Sequence, residues 1–82
     1  MVKSTDSDLN PDPKAVRKLL GANIRRYRKS SDLSQMALAA KAKLELSTIH
    51  RIESGKTDTN ISTLARIRVV LDIPWNKMLK GV

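Results

Sequence analysis

Apolar residues recur at intervals of three and four in most stretches of this chain, and short polar breaks separate those stretches. Val16, Leu19, Leu20, Ile24 and Tyr27 keep that spacing in one segment; Ile61, Leu64, Ile67, Val70 and Leu71 keep it in another. The period is that of one face of an α-helix, whereas a half-buried strand alternates every second residue. No segment shows a convincing strand pair, and no internal repeat is visible. The pattern predicts an all-α chain folded as a compact bundle of five helices. With 82 residues and no cysteine, such a bundle rests on one small apolar core, with neither disulfide nor thiolate-bound metal to help it.

The breaks assign the helices. Residues 1–12 are short and polar, with Asn10-Pro11 and Pro13 at their end, and read as a flexible arm ahead of a domain over residues 13–82. Asp12 can cap a first helix whose opening position tolerates Pro13. That helix runs to Lys29, with Gly21 lowering its propensity without breaking it. Residues 30–33 turn, and Ser34 caps a second helix from Gln35 to about Ala40. The small surface of Leu38, Ala39 and Ala42 suits two helices crossing at close range. After a turn over residues 41–44, a third helix covers residues 46–53. Its Ile49 and Ile52 face inward, while Leu46, Ser47, His50, Arg51 and Ser54 face outward or sit at the boundary. Gly55 stops it, because glycine takes the left-handed conformation without a steric penalty. A polar loop over residues 57–60 leads to the fourth helix, Asp72-Ile73-Pro74 breaks that helix, and residues 75–80 form the fifth.

Charge narrows the partners. The formal net charge is +8, and Lys14, Arg17, Lys18, Arg25, Arg26, Arg28 and Lys29 follow one another with no acid between them. Such a domain attracts nucleic acid, an acidic protein or an anionic surface; a solvated basic face is the plain alternative. Tyr27 and Trp75 are the only aromatic residues, which leaves no platform for stacking single-stranded bases. His50 is the sole histidine, so metal sites needing two imidazoles are excluded, and no nucleophile and base stand in a catalytic pattern. The reading is a non-enzyme without metal or cofactor. With no apolar run long enough for a bilayer and no signal region after Met1, it is expected in the cytoplasm.

A short capped helix, a turn of about four residues and a second helix with a mixed polar surface make a helix-turn-helix candidate. The major groove of DNA accepts one helix, which must project from the body of the protein. Leu33-Ser34-Gln35, Leu38-Ala39 and Ser47-Thr48-Ile49-His50-Arg51-Ile52-Glu53-Ser54-Gly55-Lys56 resemble the lambda-repressor-like, Cro-type helix-turn-helix family. The likeness extends back through Ile24 to Arg28 and forward through Ile61 to Pro74, covering roughly residues 16–79.

That resemblance implies double-stranded DNA as the partner and assigns roles. Leu46, Ser47 and Arg51 hold its main base-facing positions, with Glu45 and His50 beside them. Ser34, Gln35, Ser54 and Lys56 hold positions facing the DNA backbone, Gln35 also being placed to support the reading helix; Lys43, where the family has glycine, is a further candidate for approaching a phosphate. Arg28 and Glu53 match a bridge between the first helix and the end of the reading helix, which would keep the carboxylate from facing phosphates unpaired. Plainer readings stand beside these: Arg51 and Lys56 as solvated cations, Ser47 as a surface hydroxyl, His50 as a surface residue, Leu46 as local packing, Glu53 as a surface acid.

Departures from the family pattern fall at Lys43 and Asp72, where glycine is usual, at Glu45 and Leu46, and at Arg68. Lys43 either alters the turn or takes an unusual backbone conformation; Glu45 either caps the third helix or reads cytosine.

One reading helix spans few base pairs, so a homodimer on inverted half-sites is expected, with Trp75, Met78 and Leu79 as interface candidates. Trp75 and Leu79 can equally close the monomer core. The function implied is a transcriptional regulator, repressor or restriction–modification controller. An antitoxin binding both a partner protein and DNA is the alternative.

Overall fold

The structure is a computed structural model, and it describes residues 12–82. Five helices follow in order: α1 Pro13–Ser30, α2 Gln35–Ala42, α3 Leu46–Glu53, α4 Ile61–Leu71 and α5 Trp75–Met78. The fold is all-α among the described residues. The expected arm falls outside them, save for Asp12, whose carboxylate accepts from the Lys14 amide at 3.0 Å and caps α1. Ser34 and Asn60 cap α2 and α4 in the same way, accepting from Ala37 N and Thr63 N. Each removes one orphan amide donor from a helix start.

α1 packs on α3 and α5, while α2 bridges α3 and α4. Ile24, Leu38, Ile49, Ile67 and Met78 are fully buried where these helices meet. Each such side chain stabilises by about 1.5–3 kcal/mol relative to exposure, so a handful of them carries a domain of this size. Leu20, Tyr27, Leu33, Leu44, Trp75 and Leu79 pack around that centre, partly buried. Asn23 on α1 donates its amide to the carbonyls of Met78 and Lys80, fastening the carboxy-terminal segment to α1. Arg68 closes the corner after α4, donating to Ile73 O at 3.2 Å and lying over the Trp75 ring at 5.3 Å.

Four of the helix exits share one device. Asp32, Lys43, Gly55 and Asp72 all have positive φ, between 52° and 72°. In each case the next amide reaches back five residues: Leu33 N to Arg28 O, Leu44 N to Ala39 O, Lys56 N to Arg51 O and Ile73 N to Arg68 O. This left-handed cap satisfies carbonyls that a helix end otherwise leaves open. It also turns the following side chain back onto the helix, and Leu33, Leu44 and Ile73 accordingly join the core. After α3 that position is Lys56, which is exposed. The cap at Lys43 explains why α2 runs to Ala42, two residues beyond the end expected from sequence. α5 is shorter than expected, ending at Met78.

α1 and α3 approach so closely that only glycine fits between them. A Cβ on Gly21 would collide with the Ile52 carbonyl oxygen and lie 2.6 Å from that of Glu53. Gly21→Ala is therefore expected to destabilise despite a helix-propensity gain of about 1 kcal/mol. Both obstacles are backbone atoms that cannot rotate away, so a net loss of about 2 kcal/mol should appear in urea denaturation. Lys43→Gly should do the reverse, raising stability by about 1 kcal/mol in the same measurement, because it relieves a left-handed lysine.

Candidate nucleic-acid interface

The reading candidate is α3, and its two faces differ in kind. Ile49, Ile52 and Glu53 are buried, whereas Leu46, Ser47, His50 and Arg51 are exposed. Steps of one and four residues keep those four on one side of a helix. Arg51 Nε donates to Ser47 O at 3.3 Å, which lays the side chain along the helix and leaves its terminal guanidinium nitrogens without a partner among the described residues. Leu46 opens the helix with a half-exposed apolar side chain.

Glu45 stands at the cap position of α3 in extended backbone, but its carboxylate makes no capping bond. Side-chain capping, one of the two roles weighed for it, is thus absent. The Glu45 carbonyl accepts from Thr48 N and Ile49 N. The carboxylate itself is exposed beside Leu46 and Ser47.

Beneath the exposed face, Arg28 from α1 meets Glu53. Nε donates to Oε2 at 2.6 Å and Nη2 to Oε1 at 3.0 Å, a two-pronged pair. Arg28 Nη1 also donates to Leu33 O at 2.8 Å, so every arm of the guanidinium is used. Gln35 Nε2 donates to Glu53 Oε1 at 3.1 Å. Its amide nitrogen is thus turned inward to brace α3, the supporting half of the two roles expected for it. The Ser34 oxygen accepts from Ala37 N and keeps its own proton to donate outward.

At the exit of α3, the Ser54 hydroxyl donates to His50 O and Arg51 O. Gly55 lies against α1, where a Cβ would come within 2.9 Å of Lys18 Cα. Lys56 then projects into solvent. Arg17 reaches from α1 to pair with Asp58 of this loop at 3.1 Å, the carboxylate remaining exposed. Beside Arg51, a polar cleft of about 250 Å³ opens between α3 and the loop, lined by Thr48, Thr57, Thr59 and Asn60. Sequence reasoning passed over this cleft, and only the density of Thr57, Thr59, Asn60 and Thr63 on its loop side marks it.

Lys43 stands apart from the other backbone-facing candidates. It lies at the far end of α2 from Ser34, and its carbonyl accepts from Arg66 Nη1 on α4 at 3.4 Å. Of the interface candidates, Met78 has 0% exposure and belongs to the monomer's own core. The last turn points it inward where α5 packs on α1, so it has no surface to offer a second subunit. Trp75 and Leu79 keep partial exposure. No helix among the described residues is long and apolar enough to cross a membrane.

Comparison with known proteins agrees with this geometry. A family model described as a helix-turn-helix domain matches residues 19–74. The crystal structure of the restriction-modification controller protein C.AhdI from Aeromonas hydrophila superposes with a TM-score of 0.75 at 25% sequence identity, over 78% of this chain and 97% of that one. No curated protein matches the chain significantly.

The buried pair generates a stability prediction. Glu53→Ala leaves the Arg28 guanidinium buried with no counter-charge, which is expected to cost about 3–5 kcal/mol. That is a large part of the roughly 5–15 kcal/mol available to a small domain. A fall of under 1 kcal/mol in urea denaturation would show that α3 is held by its isoleucines alone.

Proposed function

The chain belongs to the helix-turn-helix domain family, and from that premise we propose that it regulates transcription by binding double-stranded DNA sequence-specifically as a homodimer. The observation that carries this reading is the division of α3: Ile49, Ile52 and Glu53 anchor it, and Leu46, Ser47, His50 and Arg51 are left free on one exposed side. A helix held from below and polar above suits insertion into a major groove. Arg51 can present two donors to guanine, Leu46 can meet a thymine methyl, and Glu45 can accept from cytosine.

Ser34 and Lys56 serve as phosphate anchors; Ser54, at the helix exit, joins them only by releasing its hydroxyl from the His50 and Arg51 carbonyls. Such contacts fix register without reading sequence. Pairing with Arg17 offsets the charge of Asp58, which also lines the cleft beside Arg51. The likeness to a restriction–modification controller supports a regulatory role in the cytoplasm.

One α3 reads a few base pairs, and a two-fold pair placing two such helices about 34 Å apart would read an inverted repeat. The partly exposed Trp75 and Leu79 form the interface in this proposal. Leu19 and Val82 extend it, both exposed, with Gly81 seated against Leu19.

Selection from fragmented genomic DNA, followed by titration at several salt concentrations, tests the proposal. Equal affinity for selected and scrambled duplexes would overturn sequence-specific binding, since salt dependence alone reports phosphate contact. Arg51→Ala should lose about 1–3 kcal/mol of discrimination at one or two positions of each half-site. A uniform loss on all duplexes would assign Arg51 to the backbone instead.

A further inference from the structure

A groove of about 410 Å³ runs between the end of α2 and the middle of α4, outside the surface assigned to DNA. Ala42, Ala65 and Val69 line it with apolar surface, and Lys41, Lys43 and Arg66 line it with positive charge. No acidic residue borders it. Val69 is 66% exposed, and Ile61, two turns earlier on the same side of α4, is 65% exposed. The monomer's own core does not use these aliphatic side chains, and at the groove Val69 stands open between Ala65 and a border of three cations. Arg66 is held across the groove by its bond to Lys43 O.

We propose that this groove docks a segment of another protein that carries both acidic and leucine-type side chains. The charges select the occupant. A second copy of the chain meeting the groove about a two-fold axis would set Lys41, Lys43 and Arg66 against their own counterparts, and like charges brought together at an interface are repelled. A DNA backbone would satisfy the three cations and leave the alanine and valine surface unused. An acidic amphipathic segment satisfies both halves: carboxylates pair with the border while apolar side chains fill the space over Ala65 and Val69. The groove lies at the opposite end of α2 from Ser34, about 10 Å away along the helix axis. DNA and the docked segment can therefore be held together, which gives a regulator bound at its site a means to recruit a second protein.

The test uses the intact protein and a fluorescent synthetic peptide, helical and amphipathic, bearing glutamates on one side and leucines on the other. A control peptide has the same charge and serine in place of every leucine. At physiological ionic strength the leucine peptide should bind at least about tenfold more tightly than the control, as expected for burying even one leucine. Val69→Ser should abolish that preference while leaving the melting transition and DNA affinity unchanged, and Arg66→Glu should weaken both peptides by at least about tenfold without changing the melting transition. A saturating DNA duplex should not displace the peptide. Equal binding of the two peptides would overturn the proposal by reducing the groove to simple charge. So would displacement by duplex, which would assign the groove to DNA, or conversion of a dimer to a monomer by Val69→Ser in sedimentation, which would assign it to a second copy.

Discussion

Arg28 and Glu53 face each other where α1 crosses the end of α3, with the Gln35 amide on one side and the Leu33 carbonyl on the other. Burying two ions costs several kcal/mol in lost hydration, and their attraction offsets that only when geometry is good and remaining donors and acceptors are met. Here both carboxylate oxygens and all three guanidinium nitrogens have partners. The net stabilisation of such a cluster is modest, but its directionality is not. A helix that leaves half its surface exposed has only a narrow apolar stripe left for packing, and Ile49 and Ile52 alone permit rotation and sliding. The pair fixes α3 in both respects and draws α1, α2 and α3 to one point.

The glycines complete what the pair begins. Gly21 lets α1 rest on the last carbonyls of α3, and Gly55 lets the chain leave α3 against Lys18. Backbone therefore approaches backbone on both sides of Glu53, which shortens the reach demanded of Arg28. Close approach and ion pair depend on each other: a wider crossing would pull the guanidinium away, and an unpaired carboxylate would resist burial.

Much of this architecture was legible in the sequence, because helical spacing of apolar residues and the capping residues Asp12, Ser34 and Asn60 are local signals. The bounds of α3 followed from Ile49, Ile52 and Gly55. The ends of α2 and α5 were less readable. Lys43 adopts a left-handed conformation that its side chain does not advertise, and only the usual glycine at that place in the family hinted at it. Gly21 looked like a mere weakness in α1, since the surface that needs it lies some thirty residues away in α3. Asn23, which binds the carbonyls of Met78 and Lys80, and Arg17, which binds Asp58, gave no signal for the same reason. Met78 could be placed on the right element but not on the right side of it, because a fifth helix of one turn has too few residues to define a stripe. On α3, periodicity separated inward from outward residues, while Gln35 bracing Glu53 required the crossing of α2 to be known.

All that holds α3 in place lies beneath it, in Ile49, Ile52, Glu53 and the glycine contacts, and none of it uses the side chains of Leu46, Ser47, His50 or Arg51. Those four positions can vary with little consequence for folding. Scaffold and outer surface are separable, and under the proposed reading descendants of such a chain acquire new addresses on the genome by exchanging a few outer residues while the machinery that presents them is inherited intact.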